Sequence, residues 1–138
     1  MYRMFKIGCL VLFLSSMSAA QIAVIVNKSV PISSIDKRTI LDIYSLSTQT
    51  WEDGSAITVV TLKGNEGIGK KFYEFIGRTS LQMRKLWMRA QLSGESGVPV
   101  SLSSEAEVAE KVASTPGAIG FVSEDHVPKG VTILAVIE

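Results

Sequence analysis

The stretch Lys63-Gly64-Asn65-Glu66-Gly67-Ile68-Gly69-Lys70-Lys71 has the clearest capacity for chemistry in this 138-residue chain. The apolar run Ile57 to Leu62 leads into it, and Phe72, Phe75 and Ile76 follow with inward spacing for a helix. Strand, glycine-rich turn and helix together form an arrangement that holds anions. The first backbone N–H groups of a helix have no partner within it, and the helix dipole adds positive potential there. Lys63, Lys70 and Lys71, with the backbone of Gly64, Gly67 and Gly69, are therefore the candidate contacts for a small oxyanion. The charge pattern agrees: Lys63, Lys70, Lys71, Arg78, Arg84, Lys85 and Arg89 fall between residues 63 and 89, opposed there only by Glu66 and Glu74. The competing reading of those bases is a pair of solvated helix faces.

The same segment tests a second chemistry. Gly64-x4-Gly69-Lys70 matches the start of a nucleotide-binding P-loop, which needs a Ser or Thr after the lysine to hold Mg²⁺. Lys71 stands at that position, which argues against nucleotide hydrolysis. Elsewhere the chemistry is thin. His126, the one histidine, sits beside Glu124 and Asp125 and reads as a solvated loop residue rather than a metal ligand. Trp87 with Arg84 suggests a cation–π edge, but its helical spacing places it in the core. No Gly-x-Ser-x-Gly elbow occurs, and no acid–histidine pair can be assigned to activate a serine. Glu52-Asp53 reads as a turn, and Glu105 with Glu107 as a helix start. These readings favour a binding module over an enzyme, with no catalytic residue, metal or cofactor.

The elements that position the loop alternate in kind. Ile22 to Val26 is a continuous β-branched run that suits a buried strand. Ser33 and Asp36 mark a helix start, followed by Ile35, Ile40, Leu41, Ile43 and Tyr44 at helical spacing. Asp53-Gly54 reads as a turn before the second strand, Ile57 to Leu62. Ser80 is the expected cap of a helix with Leu81, Met83, Leu86, Trp87 and Ala90 inward. A loop follows over residues 94–99, and then Ser104 and Glu107 as a capping box before Val108, Ala109 and Val112. Pro116-Gly117 stops that helix, and Ala118 to Val122 and Val131 to Ile137 are the third and fourth strands. Strands separated by helices imply an α/β sheet covered on both faces.

The N-terminus reads as an address. Arg3 and Lys6 precede an apolar run, Ile7 to Leu14, and small residues lead to Ala19-Ala20, so a cleavable signal peptide is expected over residues 1–20. The run is well short of the roughly 20 residues that span a bilayer. Cys9 sits at the beginning of the run, whereas a lipid-modified cysteine should follow it. The expected mature domain, residues 21–138, therefore carries no cysteine, and it loses two of the 14 bases against 13 acids. A periplasmic or secreted domain held by its core is expected, without disulfide, thiolate metal site or membrane span. A formal charge near zero gives no general attraction to nucleic acid.

One family fits the order of these pieces over some hundred residues. Trp51-Glu52-Asp53-Gly54, the strand Ile57-Thr58-Val59-Val60 running into the glycine-rich loop, and Pro116-Gly117-Ala118-Ile119-Gly120-Phe121-Val122 follow one another. This order resembles the periplasmic phosphate-binding proteins of ATP-driven (ABC) transporters, and more closely their short single-lobe relatives. The resemblance implies one lobe of a type II periplasmic-binding-protein-like fold, a central sheet with helices on both faces, with phosphate as ligand. In that family an Arg follows the strand and a Ser-Gly-Thr triplet starts the helix. Gap-free alignment puts Leu62 at the Arg position, and Glu66, Gly67 and Ile68 on the triplet, so only Gly67 is kept. Each lost charge-assisted hydrogen bond forfeits roughly 1.5–3 kcal/mol. The expectation is weak phosphate or oxyanion binding at residues 57–76. The alternative is a ligand-free structural or protein-interaction module of the cell envelope, with an envelope protein or a second copy as partner.

Overall fold

The alternation within the first strand, β1 (Ile22–Asn27), decides the architecture. Ile22, Val24 and Val26 enter one apolar cluster, Ala23 and Ile25 enter another, and all five are buried. A strand apolar on both faces must lie inside a sheet covered on both sides. The computed structural model describes residues 21–64, 66–95 and 97–138. The expected leader at 1–20, Cys9 included, lies outside those residues, as do Asn65 and Ser96.

After β1 come α1 (Lys37–Tyr44), β2 (Thr58–Leu62), α2 (Gly67–Phe75), α3 (Ser80–Leu92), β3 (Val100–Leu102), α4 (Glu105–Ser114), β4 (Ala118–Ser123) and β5 (Val131–Ile137). The five strands form one sheet in the order β3-β2-β4-β1-β5. β2 pairs parallel with both β3 and β4, while β1 runs antiparallel to β4 and β5. The sequence reading has four strands. β3, three residues long, is the addition, and its pairing with β2 defines it rather than any periodicity of its own.

Two helix starts sit away from the expected residues. Asp36, not Ser33, caps α1 and accepts from the Thr39 amide at 2.8 Å. Thr79, not Ser80, caps α3: its hydroxyl accepts from Gln82 N and the Gln82 side chain accepts from Thr79 N. Ser80 has Met83 three residues on, which cannot reciprocate. Ser104 caps α4 as expected, while Glu107 reaches Ser103 N instead of the cap's own amide. Leu81 points outward, because the inward arc of α3 runs through Met83, Trp87 and Ala90.

The two faces are packed differently. Helices α1, α2 and α3 cover one with aromatic rings: Phe72 stacks on Phe121 at 4.0 Å, and Tyr44 meets Phe72 edge-on at 4.8 Å. α4 alone covers the other, setting Val108, Ala109 and Val112 against Ala23, Ile25, Val60, Ala118 and Val122. That approach is close because Gly120 has no side chain. A Cβ there would stand 2.8 Å from Val112 Cγ2 and 3.1 Å from Val108 Cγ1.

A polar joint ties the Trp51 turn to the start of β4. The buried Trp51 indole donates to the Gly117 carbonyl at 2.9 Å, and Thr58 N donates to the same oxygen. Gly117 N donates to Ser29 Oγ at 3.0 Å. Gly117 has φ +77°, and a Cβ would run into the Ala56 carbonyl. Only glycine meets both conditions without strain. Trp51 and Pro116-Gly117, two distinctive pieces of the sequence, thus meet in space.

Candidate functional site

The chain leaves β2 and β3 in opposite directions. From β2 it passes to α2 and the aromatic face; from β3 it passes to α4 on the other face. Two adjacent parallel strands whose carboxyl-end loops diverge leave a crevice between them, the usual ligand position in open α/β sheets. A cavity of about 250 Å³ lies here, lined by Thr61, Leu62, Lys63 and Gly64 from the end of β2 and Ser101 from β3. The helix side adds Tyr73 from α2, and Ser80, Arg84 and Trp87 from α3.

Inside this crevice the polar atoms are organised. Thr61 and Tyr73 are both buried and share a hydrogen bond between their hydroxyls. Burial pushes the Tyr73 phenol above its ordinary range, with the Thr61 bond working in the other direction. The Trp87 indole donates to the Tyr44 carbonyl at 2.8 Å, so its ring is a fixed wall rather than a free edge. Lys63 is tied by its backbone, which donates to Leu102 O at 2.8 Å, while its side chain is exposed. Lys63 and Arg84 bring the positive charge of the lining.

The predicted site residues divide between this cavity and the helix beyond it. Lys63 and Gly64 line the cavity, and Gly64 has φ +101°. Gly67 begins α2 with φ +61°, and the preceding Glu66 sits at the cap position without a side-chain cap bond. Gly69 is buried in the first turn, where a Cβ would come 3.9 Å from the Gly64 carbonyl. Lys70 lines a separate hollow with Arg78 and pairs with Glu74 at 4.0 Å, both side chains well exposed. Lys71 is exposed on α2. Thr61, Tyr73 and Ser101 are absent from the sequence reading, and Arg84 enters it only as one base of seven. The helical step from Phe72 gives no sign that Tyr73 also turns inward. The pairing of β3 with β2 is what brings Ser101 here.

One other cluster has the residue types of hydrolytic chemistry. The hydroxyl of Ser123 lies 2.7 Å from His126 Nδ1, and Glu105 Oε1 lies 3.6 Å from the same nitrogen. Glu105 also accepts from Ser123 N at 2.6 Å. A nucleophilic triad needs acid and serine on opposite ring nitrogens. Here both crowd one, which makes the cluster a cap for the end of β4. Among the described residues no group of three or more metal-ligating side chains converges. No described helix is long and apolar enough to cross a membrane.

No protein-family model matches this chain, and no curated protein sequence does. Solved structures do match. One is a Clostridium perfringens protein assigned as a phosphate ABC transporter substrate-binding protein and solved with bound phosphate, at TM-score 0.67 and 20% identity over 84% of this chain. An ABC-type phosphate transport receptor from Vibrio cholerae matches at 0.66 and 21% over the same share, and PstS from Borrelia burgdorferi at 0.59 and 18%. The match covers 45%, 46% and 47% of those three chains, so this chain spans less than half their length. At such identities the likeness is one of fold. The chain has the fold of a single α/β lobe, a central mixed sheet flanked by helices, that matches a type II periplasmic-binding-protein-like fold.

Proposed function

We propose that this chain is an extracytoplasmic solute-binding-type lobe, not an enzyme, and that it takes phosphate or a similar small oxyanion in the crevice at the carboxyl ends of β2 and β3. The observation that carries the reading is the cavity beside the glycine-rich loop, whose lining combines Lys63 and Arg84 with Thr61, Tyr73, Ser80 and Ser101. Lys63 and Arg84 are the charged contacts, and the backbone of Gly64, Gly67 and Gly69 supplies amides. Lys70 and Lys71 act at longer range, where solvent and salt screen them. Arg84, reaching in from α3, offers the planar fork that suits an oxyanion and that Leu62 cannot offer. The fold shared with phosphate-transport proteins of two bacteria supports the choice of phosphate as first ligand.

A single lobe leaves one side of the ion in water. Binding is therefore weak in the isolated chain and tightens where a second molecule closes the crevice. Glu66 favours a second reading. An acid at the cap position of α2, whose side chain makes no cap bond, repels an anion there. On that reading the lobe is a ligand-free structural or interaction part of the envelope.

Calorimetric titration of residues 21–138 with phosphate, with sulfate as control, separates the two. Saturable heat, selective for phosphate and cut at least about tenfold by Arg84→Gln, matches the loss of one charge-assisted bond. No heat up to millimolar phosphate at low salt overturns the oxyanion reading and leaves the structural one.

A further inference from the structure

We propose that the open edge of β5 pairs with the β5 of a second copy of the chain, antiparallel about a two-fold axis. β5 ends the sheet: β1 lies on one side, and among the described residues no strand lies on the other. An edge strand presents unpaired N–H and C=O groups that another strand can take. The opposite edge is protected by being short, since β3 has only three residues. β5 has seven, Val131-Thr132-Ile133-Leu134-Ala135-Val136-Ile137, with no charge, proline or glycine to blunt it. Outside α3, the large apolar side chains left exposed by the described residues are Ile133 and Val136, at 43% and 47%, and both lie on this strand.

The register of β5 against β1 decides what fits this edge. Ile133 stands opposite Ile25 and Val136 opposite Ala23, and Ile25 and Ala23 both pack in the cluster under α4. Residues opposite one another in an antiparallel pair share a face, so Ile133 and Val136 are both on the α4 side. In a regular strand, residues three apart point to opposite faces. The register shift at Val24/Ile25 leaves Leu134 as an extra residue of β5 and brings the two to one face. α4 buries Ala23 and Ile25 but leaves these two exposed. A two-fold axis through the seam can set Ile133 of each copy opposite Val136 of the other. The exposed apolar side chains of both copies then cover one another on one face of a continuous sheet. In the same register Glu138 of one copy stands opposite Val131 of the other, with the exposed Lys129 on its diagonal, so each end of the seam joins an acid to a base. The strand therefore matches itself, apolar against apolar and acid beside base. A two-fold interface requires such self-complementarity, which selects a second copy over an unrelated strand. The seam is remote from the crevice, because β4 and β1 lie between β2 and β5.

The test is sedimentation equilibrium of residues 21–138, which contain every described element and both core clusters. A monomer–dimer equilibrium is expected between about 1 and about 300 µM, since a seam one strand long falls at the small end of specific interfaces. Pairing uses up the long edge, so assembly should stop at two copies. Ile133→Lys and Val136→Glu should each weaken the dimer at least about tenfold. Combined in one chain, they set opposite charges against each other at both places in the seam. That variant should dimerise at least about threefold more tightly than either single one. Both positions are exposed, so thermal melts should match the parent and exclude misfolding. Neither lines the crevice, so phosphate heats should be unchanged, and the two proposals can fail separately. A monomer throughout the range, assembly beyond two copies, or a dimer that the single variants leave intact overturns the inference. So does a combined variant no tighter than the single ones, which would deny that Ile133 opposes Val136.

Discussion

At the joint between Trp51 and Gly117 the backbone and indole groups are fully engaged. Trp51 N donates to Ser55 O, Gly54 N donates to Trp51 O, the indole and Thr58 N share the Gly117 carbonyl, and Gly117 N donates to Ser29. The loop from Lys63 to Gly69 is built the other way. Its lysine is exposed, its glycines hold left-handed conformations at 64 and 67, and the helix it feeds starts without a side-chain cap. The joint spends its polar groups on holding the sheet to its connections. The loop ties the Lys63 amide to Leu102 O and leaves the lysine side chain exposed. The Trp and Pro-Gly motifs thus serve architecture, while the segment proposed to touch a ligand is where this sequence differs from the phosphate-binding pattern that it otherwise resembles.

Gly117→Ala should break the closed side of this comparison with the largest effect. The new methyl meets the Ala56 carbonyl at a residue whose φ is +77°, so strain and overlap add. A loss of about 3 kcal/mol or more is expected in urea unfolding. A loss below about 1 kcal/mol would mean that the joint yields, and that its geometry does not require glycine.

Beneath the open loop the core should still behave as closed. Thr61→Val leaves the buried Tyr73 hydroxyl without its partner and should cost about 2 kcal/mol. Adding Tyr73→Phe should restore most of it, because both ends of the pair are then apolar. A double variant as unstable as the sum of the singles would show packing, not the hydrogen bond, to be what matters.

These sites also show what could be read in advance. β1, β2, β4 and β5 are legible because β-branched runs mark buried strands, and the inward faces of α1 and α4 because their periodicity is clean. β3 is not legible: Val100-Ser101-Leu102 is too short to show a period, and its strand character comes from pairing with β2. The true cap of α3 was available in Thr79 and Gln82, spaced to bond each other, but Ser80 beside it competes for the same role. The glycine-rich loop and Lys63 are visible as a pattern. Tyr73, Ser101 and the use of Arg84 depend on how α2, β3 and α3 converge, which no local pattern encodes.

Alkaline pH should sharpen the contrast between the closed core and the open loop. Burial holds the phenols of Tyr44 and Tyr73 above the usual range, Tyr44 well above it. Tyr44 also donates to the Val60 carbonyl at 2.9 Å, which fixes its ring under β2. In the unfolded chain both ionise near pH 10. Above that pH the native state binds more protons than the unfolded one. Stability should therefore be flat below about pH 9 and fall as pH rises past 10, by at most about 1.4 kcal/mol per pH unit for each tyrosine. Denaturant midpoints across that range measure it. Tyr44→Phe should make the decline shallower, and an unchanged slope would place the titrating groups elsewhere.

The smallest stability effect should come from the helix starts, and it tests the openness of the loop directly. Thr79 closes α3 with a complete box, so Thr79→Ala should cost about 1 kcal/mol. Glu66 occupies the same position on α2 but makes no cap bond, so Glu66→Ala should change stability by only about 0.5 kcal/mol through the helix dipole. Its effect on phosphate should run the other way in size. A carboxylate about 4 Å from a bound anion opposes it by roughly 4 kcal/mol per unit charge at an effective dielectric near 20, and by less at greater distance. Removing it should tighten phosphate binding at least about tenfold while the melt barely moves. A variant that loses as much stability as Thr79→Ala, and gains no affinity, would show that the start of α2 is a closed structural end like the others and that the anion, if bound, sits elsewhere.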